Sequence, residues 1–217
     1  MSNSRETILG RIRSALASDP EVPMPPTPQV WPTTEADGAA LAARFIEELE
    51  AVHGEVVAAA SMEEAAGRLA ELADEGGWQR VAAVDSPEMR EVAAALPPER
   101  VAWAAEERDA PAMADLAAGI VPAARLLADT GSCLVECRTG VERLLCYLPP
   151  ACVVLAGRAQ LAEHLPAAWG EVVRGAAEAD RRGEYVVITG PSRTADIEKI
   201  LILGVHGPKR LIVLLVG

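Results

Sequence analysis

The sequence is poor in aromatics: one Phe, two Tyr and four Trp make up 3% of its 217 residues. No run of about eighteen uncharged apolar residues occurs, which argues against a membrane-spanning helix. The opening MSNSRETILGRIRS has no long apolar stretch before a small-residue cleavage site, so no secretory signal is expected and a cytoplasmic location is. Cations are in short supply, 20 Lys plus Arg against 32 Asp plus Glu, a net charge of -12. Nucleic-acid binders neutralise phosphates with clustered Lys and Arg, so that class loses ground. No G-x-S-x-G elbow, no G-x-x-x-x-G-K-[ST] loop, no G-x-G-x-x-G after a strand and no H-E-x-x-H is present. A serine hydrolase of the α/β type, a P-loop NTPase, an ordinary NAD-binding Rossmann enzyme and a zinc site therefore all lack their signatures.

Cysteine is scarce as well. Cys133, Cys137, Cys146 and Cys152 fall in one short stretch, and none forms a C-x-x-C. If SCLVEC is a strand, Cys133 and Cys137 lie roughly 13 Å apart on one face, too far for one metal or a disulfide. They read as small buried hydrophobes in a reducing compartment, and no metal or iron–sulfur cluster is expected in this chain.

What is present is an apolar half of the composition, enough for a self-sufficient core. Residues 1–33 read as an amphipathic helix followed by a Pro-rich arm, and residues 34–217 as a single α/β domain. In the helix, Ser4 to Ala17, Ile8, Ile12 and Leu16 recur every fourth residue while Arg5, Arg11 and Arg13 ride the other faces. Pro20, Pro23, Pro25, Pro26, Pro28 and Pro32 then favour extended backbone. A basic helix on a stiff spacer either docks on a partner or on a second copy of this acidic chain, giving a homo-oligomer, or folds back on its own domain.

Beyond the arm, strand-like runs alternate with Ala-rich helical ones. Helices are expected over 38–52, over 62–73 with Ser61 as cap and Glu64 at its third position, and after Asp85 or Ser86 with Pro87 in the first turn. Further helices are expected over 112–128, interrupted near Gly119 to Pro122, and over 160–182. Strands are expected over 56–60, 81–84, 100–104, 132–137, 143–148, 152–156, 185–189 and 211–216. The fourth and fifth of these are expected to pair as a hairpin through Arg138, Thr139 and Gly140. Alternating βα units with apolar strands imply a mainly parallel, mixed sheet covered on both faces.

In such sheets ligands gather beyond the carboxyl ends of strands, near helix N-termini. Directly after the strand YVVIT comes Gly190-Pro191-Ser192-Arg193-Thr194-Ala195-Asp196. Gly190 lets the backbone turn, Ser192 and Thr194 offer hydroxyls, and Arg193 offers a planar bidentate donor for a carboxylate or phosphate. Asp196 suits the first turn of a following helix; alternatively Thr194 only caps and Asp196 pairs with Arg193 to fix the loop. Asp129-Thr130-Gly131-Ser132 reads as an αβ turn, with Gly131 in a left-handed conformation. Gly204-Val205-His206-Gly207-Pro208 precedes the last strand, where the flanking glycines permit a tight turn and His206 could serve as acid, base, anion donor or structural cap.

The ending ITGPSRTADIEKILILGVHGPKRLIVLLV, the ADTGS stretch, LLCYLPPACVVLAG and the opening SRETILGRIRSAL closely resemble the lactate-utilisation protein C family, with its LUD domain. The resemblance is strongest from Ala128 to Val216. It implies a Rossmann-like layered fold of the NagB/RpiA/CoA-transferase type. It also implies a role in oxidising L-lactate to pyruvate as one subunit of a three-protein system whose two companions carry the iron–sulfur clusters. On this reading the loops bind a small carboxylate or other anion. The alternatives are a stand-alone enzyme of the CoA-transferase or phosphosugar-isomerase type, for which no nucleophile motif is matched among Glu136, Glu142 and Glu198, and an assembly protein whose motifs are only turns.

Overall fold

A computed structural model describes residues 4–17, 31, 36–104, 115–178, 183–194, 202–203 and 207–217. The chain divides into two compact units, Met1–Pro32 and Thr33–Gly217. The first contains helix α1 (Ser4–Ala17), whose Ile8, Ile12 and Leu16 are exposed.

The second unit is built on a parallel sheet of β1 (Glu55–Ala59), β2 (Val81–Ala83), β3 (Val101–Trp103), β4 (Ala118–Pro122), β7 (Ala151–Gly157) and β12 (Arg210–Val216). Its order is β1-β12-β7-β4-β2-β3, and every neighbouring pair is parallel. The last strand of the chain thus lies inside the sheet, held on one side by β1, where Arg210 makes a two-pronged ion pair with Glu55 at 2.8 Å. Because the pleat alternates, Leu211, Val213 and Leu215 enter one core while Ile212 and Leu214 enter the other. This double burial explains why the run RLIVLLV shows no alternation of its own.

One face is covered by α3 (Met62–Glu75) and α4 (Pro87–Ala93), through Leu69, Leu72, Met89 and Val92. Both helices start as their sequences predict. Ser61 Oγ accepts from Glu64 N, Glu64 in turn accepts from Ala60 N, and Ser86 Oγ accepts from Met89 N. The other face is covered by α2 (Gly38–Ala51), by α5 (Gly140–Leu145) and by a second sheet, with Phe45, Leu49, Leu145, Leu126 and Val135 in the shared core. That second sheet runs β8 (Leu161–Ala162), β5 (Arg125–Leu127), β6 (Ser132–Cys137), β9 (Glu184–Ile188) and is antiparallel except for β5 with β8. The fold is therefore a layered α/β structure whose main sheet is wholly parallel.

Three expectations are corrected. Residues 118–122 and 125–127 are strands, not an interrupted helix. Buried on both faces, β4 has no period to separate it from an Ala-rich helix, and Gly119 lies where a Cβ would come 2.3 Å from the Leu145 carbonyl oxygen. The hairpin through Arg138 to Gly140 does not form. Thr139 caps α5 by accepting from Glu142 N, and Glu142 reaches back to Arg138 N at 2.7 Å. T-x-x-E is a helix-start signature, and β6 finds its partners in β5 and β9. The helix expected over 160–182 is shorter: α6 (Leu165–Ala177) starts after β8 and is capped by buried His164, whose Nδ1 accepts from Ala167 N at 3.1 Å. Among the described residues no helix is long and apolar enough to cross a membrane.

Candidate functional site

The stretch Asp129 to Ser132 joins β5 to β6, with Leu127 opposite Ser132. The turn therefore links two antiparallel strands and not a helix to a strand, although Gly131 does adopt the left-handed conformation, at φ 60°. A Cβ on Gly131 would lie 2.2 Å from Leu49 N, so the turn is pressed against the last turn of α2. Gly190 sits at the same helix end: its φ is 82°, and a Cβ there would lie 2.9 Å from Val52 O. Two loops distant in sequence thus grip one helix terminus.

A line of hydroxyls joins them. Ser132, only 2% exposed, has its Oγ 2.8 Å from Thr130 Oγ1 and 2.6 Å from Thr189 Oγ1, while Thr130 donates to Asp129 Oδ1 at 3.3 Å. Each hydroxyl has one proton to give. With Thr130 donating to Asp129, Ser132 donates to Thr130 and Thr189, an exposed residue, donates to Ser132. Thr189 was not singled out from the sequence. Its signal was its place as the last residue of YVVIT, where a strand hands over to the Gly190 loop.

That loop reaches the third motif within three peptide units. Ser192 N donates to Pro208 O at 2.8 Å, and a Cβ on Gly207 would lie 3.0 Å from Ser192 Cβ and 4.0 Å from Tyr147 O. Arg193 and Thr194 form β10, paired antiparallel with β11 (Ile202–Leu203), so Arg193 is carried on a short ribbon and is exposed. Described parts of all three motifs therefore adjoin: Thr130 and Ser132 with Thr189, and Ser192 with Gly207 and Pro208. Asp196, Gly204 and His206, and the helix expected to follow Thr194, lie outside the described residues.

If the hydroxyl line holds the two loops together, Ser132→Ala should lower stability by about 1 kcal/mol, the usual net value of a hydrogen bond. Thr189→Val should cost no more than that, and the double variant little more than Ser132→Ala alone, because the Thr189 bond is already lost with Ser132. Urea unfolding of the four proteins measures this, and strictly additive losses would show that the bond does not form.

Other features lie apart from these loops. At the carboxyl ends of β2 and β4 a cavity of about 230 Å³ is lined by Asp85, Ser86, Glu88, Glu136, Arg138 and Glu142, among others. Glu136 Oε1 is buried there without a hydrogen bond, its nearest charge partner being Arg138 Nε at 3.7 Å. Glu142 is committed to its helix-start bond. Asp85 accepts two bonds from Arg90, at 2.6 and 2.8 Å, which hold its carboxyl below the ordinary range. Cys133 and Cys152 are wholly buried, and burial pushes the Cys152 thiol up to about 12 and Cys133 higher. Among the described residues no group of three or more His, Cys, Asp and Glu is arranged to hold a metal ion.

Comparison with known proteins agrees with this architecture. The chain is 33% identical over 91 residues to lactate utilization protein C of Bacillus pumilus, a match covering 42% of this chain and 38% of that relative's length. A solved DUF162 family protein from Deinococcus radiodurans superimposes with a TM-score of 0.60 at 16% identity, over 84% of this chain and 99% of that one. At that identity the likeness establishes the fold. The LUD domain model matches residues 42–216, from within α2 to the end of β12, and so takes in both sheets and all three adjoining loops. By that match, the chain belongs to the LUD domain family.

Proposed function

We propose that this protein is a non-redox subunit of an iron–sulfur lactate-utilisation system that oxidises L-lactate to pyruvate. Its part is to bind a small carboxylate or another anion at the three adjoining loops and to dock companion proteins that carry the clusters. The reading is supported by membership of the LUD family and by the similarity to a protein named for lactate utilisation. The observation that carries it is the meeting of the Asp129, Gly190 and Gly207 loops. The Gly190 loop is entered from the exposed hydroxyl of Thr189 and leads into the short ribbon that carries the exposed guanidinium of Arg193. A 2-hydroxy acid offers the complementary pair of groups, a carboxylate for Arg193 and a hydroxyl proton for Thr189.

Cells lacking the gene are expected to lose growth on L-lactate as sole carbon source, and normal growth removes the assignment. With the purified protein, Arg193→Ala should weaken lactate or pyruvate binding by about 1.5–3 kcal/mol, the range for a hydrogen bond to a charged group. Calorimetry that shows the same affinity in both proteins removes Arg193 as the anion donor.

One observation favours a second reading, an independent acyl-transfer enzyme: Glu136 lines a cavity at strand carboxyl ends with one carboxylate oxygen unbonded. Turnover of acyl-CoA substrates by the protein alone, abolished by Glu136→Gln, would replace the first reading with this one.

A further inference from the structure

All four cysteines are buried, but two of them face each other. Cys137 ends β6, and Cys146 follows α5 as its C-cap. Because Thr139 turns the chain straight into that short helix, the nine-residue separation folds back on itself, and the two sulfurs come to 4.0 Å. A disulfide needs about 2.05 Å between sulfurs, so side-chain movement of about 2 Å would close the gap. Cys146 Sγ is also 3.8 Å from Glu142 O, which holds it on the side facing Cys137.

Cys137 further lines a cavity of about 560 Å³, together with Arg138, Thr139, Arg143, Glu184 and Tyr185. Arg143 is held there by two bonds to the Glu184 carboxylate, at 2.7 and 2.8 Å. The cavity therefore brings two guanidinium groups, Arg143 paired with Glu184 and Arg138 3.7 Å from Glu136, to the rim of a thiol pair. We propose that Cys137 and Cys146 form a thiol–disulfide exchange site, reached through this cavity and open to small anionic disulfides of the glutathione class.

The roles of the two sulfurs differ. The bond from Cys146 favours the Cys137 thiolate, with help from Arg143 and against burial and the carboxylates of Glu142 and Glu184. The same bond, with burial, pushes Cys146 up. Cys137, which lines the cavity, is the attacking sulfur, and Cys146, which is not among the described lining residues, is the resolving one. In the first step the Cys137 thiolate attacks a sulfur of the disulfide, forming a Cys137 mixed disulfide and releasing one small thiolate. In the second, Cys146 loses its proton and displaces the other small thiol, forming the Cys137–Cys146 bond. The protein dithiol loses two electrons and two protons, and the small disulfide gains them as two thiols.

The test uses the full chain equilibrated with mixtures of oxidised and reduced glutathione, read by thiol titration, intact mass and peptide mapping. Two of the four thiols should be lost, the mass should fall by two hydrogen atoms, and the bridge should map to Cys137 and Cys146. Cys146→Ser should stop at a glutathione adduct on Cys137, whereas Cys137→Ser should give neither adduct nor bridge. Survival of all four thiols at the most oxidising mixture overturns the proposal, as does a bridge between Cys133 and Cys152 or a Cys146 adduct in the Cys137→Ser protein. Should the serine variants fail to fold, the location of the wild-type bridge decides the matter by itself.

Discussion

Replacing Gly131 with alanine is expected to destabilise the α/β unit by about 3–5 kcal/mol, the combined effect of backbone strain and overpacking. The first cause is the left-handed backbone, φ 60°, which a residue with a side chain adopts only under strain. The second is space. The new methyl would meet Leu49 N at 2.2 Å, and Glu48 C and Leu49 Cα at 2.6 Å, all of them helix backbone that cannot swing aside as a side chain could. Either the turn or the end of α2 must move, and movement of the turn separates Ser132 from Thr189. Gly140→Ala is the control: nothing lies within 4 Å of that position, which starts a helix. It should stabilise by about 0.4–1 kcal/mol through the unfolded chain. Urea unfolding followed by far-UV circular dichroism reads both, and a loss below about 1 kcal/mol for Gly131→Ala would mean that the turn does not rest on α2 as described.

Phe45→Ala should cost about 3–5 kcal/mol, the range for emptying a large buried aromatic site. Phe45 is the only phenylalanine in the chain and is completely buried. It is also the largest side chain in a core otherwise filled by Leu, Val, Ala and Cys between the parallel sheet and the second sheet. Small neighbours have little reach, so they cannot collapse into the space it leaves. Phe45→Leu keeps most of the volume and should cost less than about 1.5 kcal/mol. Equal losses for the two variants, measured by thermal and urea unfolding, would show that this site tolerates rearrangement and is not a rigid seat for α2.

Both predictions concern α2, and both depend on contacts that no local pattern announces. The helix itself was legible: an apolar stripe over 38–52 against an observed Gly38–Ala51, with Asp37 accepting from Ala40 N as its cap. The strands were legible for the same reason; 132–137 is reproduced as β6, and 81–84, 152–156 and 211–216 shift by a residue or two. The failures came where local chemistry admits two answers. Residues 118–127 are small and apolar enough for helix or strand, and only neighbours on both sides of β4 make them strand. Residues 140–145 look apolar enough for a hairpin arm, yet Thr139 and Glu142 together start a helix. The three glycine-bearing motifs stood out as unusual turns, but Thr189, between two of them in space, carried no pattern beyond its strand.

What the chain determines by itself is local: where helices begin, which residues are apolar enough to be buried on both faces, and which turns demand glycine. These follow from capping chemistry, side-chain transfer out of water and backbone sterics, all short-range in sequence. What only the tertiary structure decided is which distant pieces touch. The β12 strand enters the middle of the sheet, two remote loops close on one helix end, and the sulfurs of Cys137 and Cys146 face each other. Such pairings depend on how whole layers stack and on the register between strands, a property shared among elements and absent from any one of them.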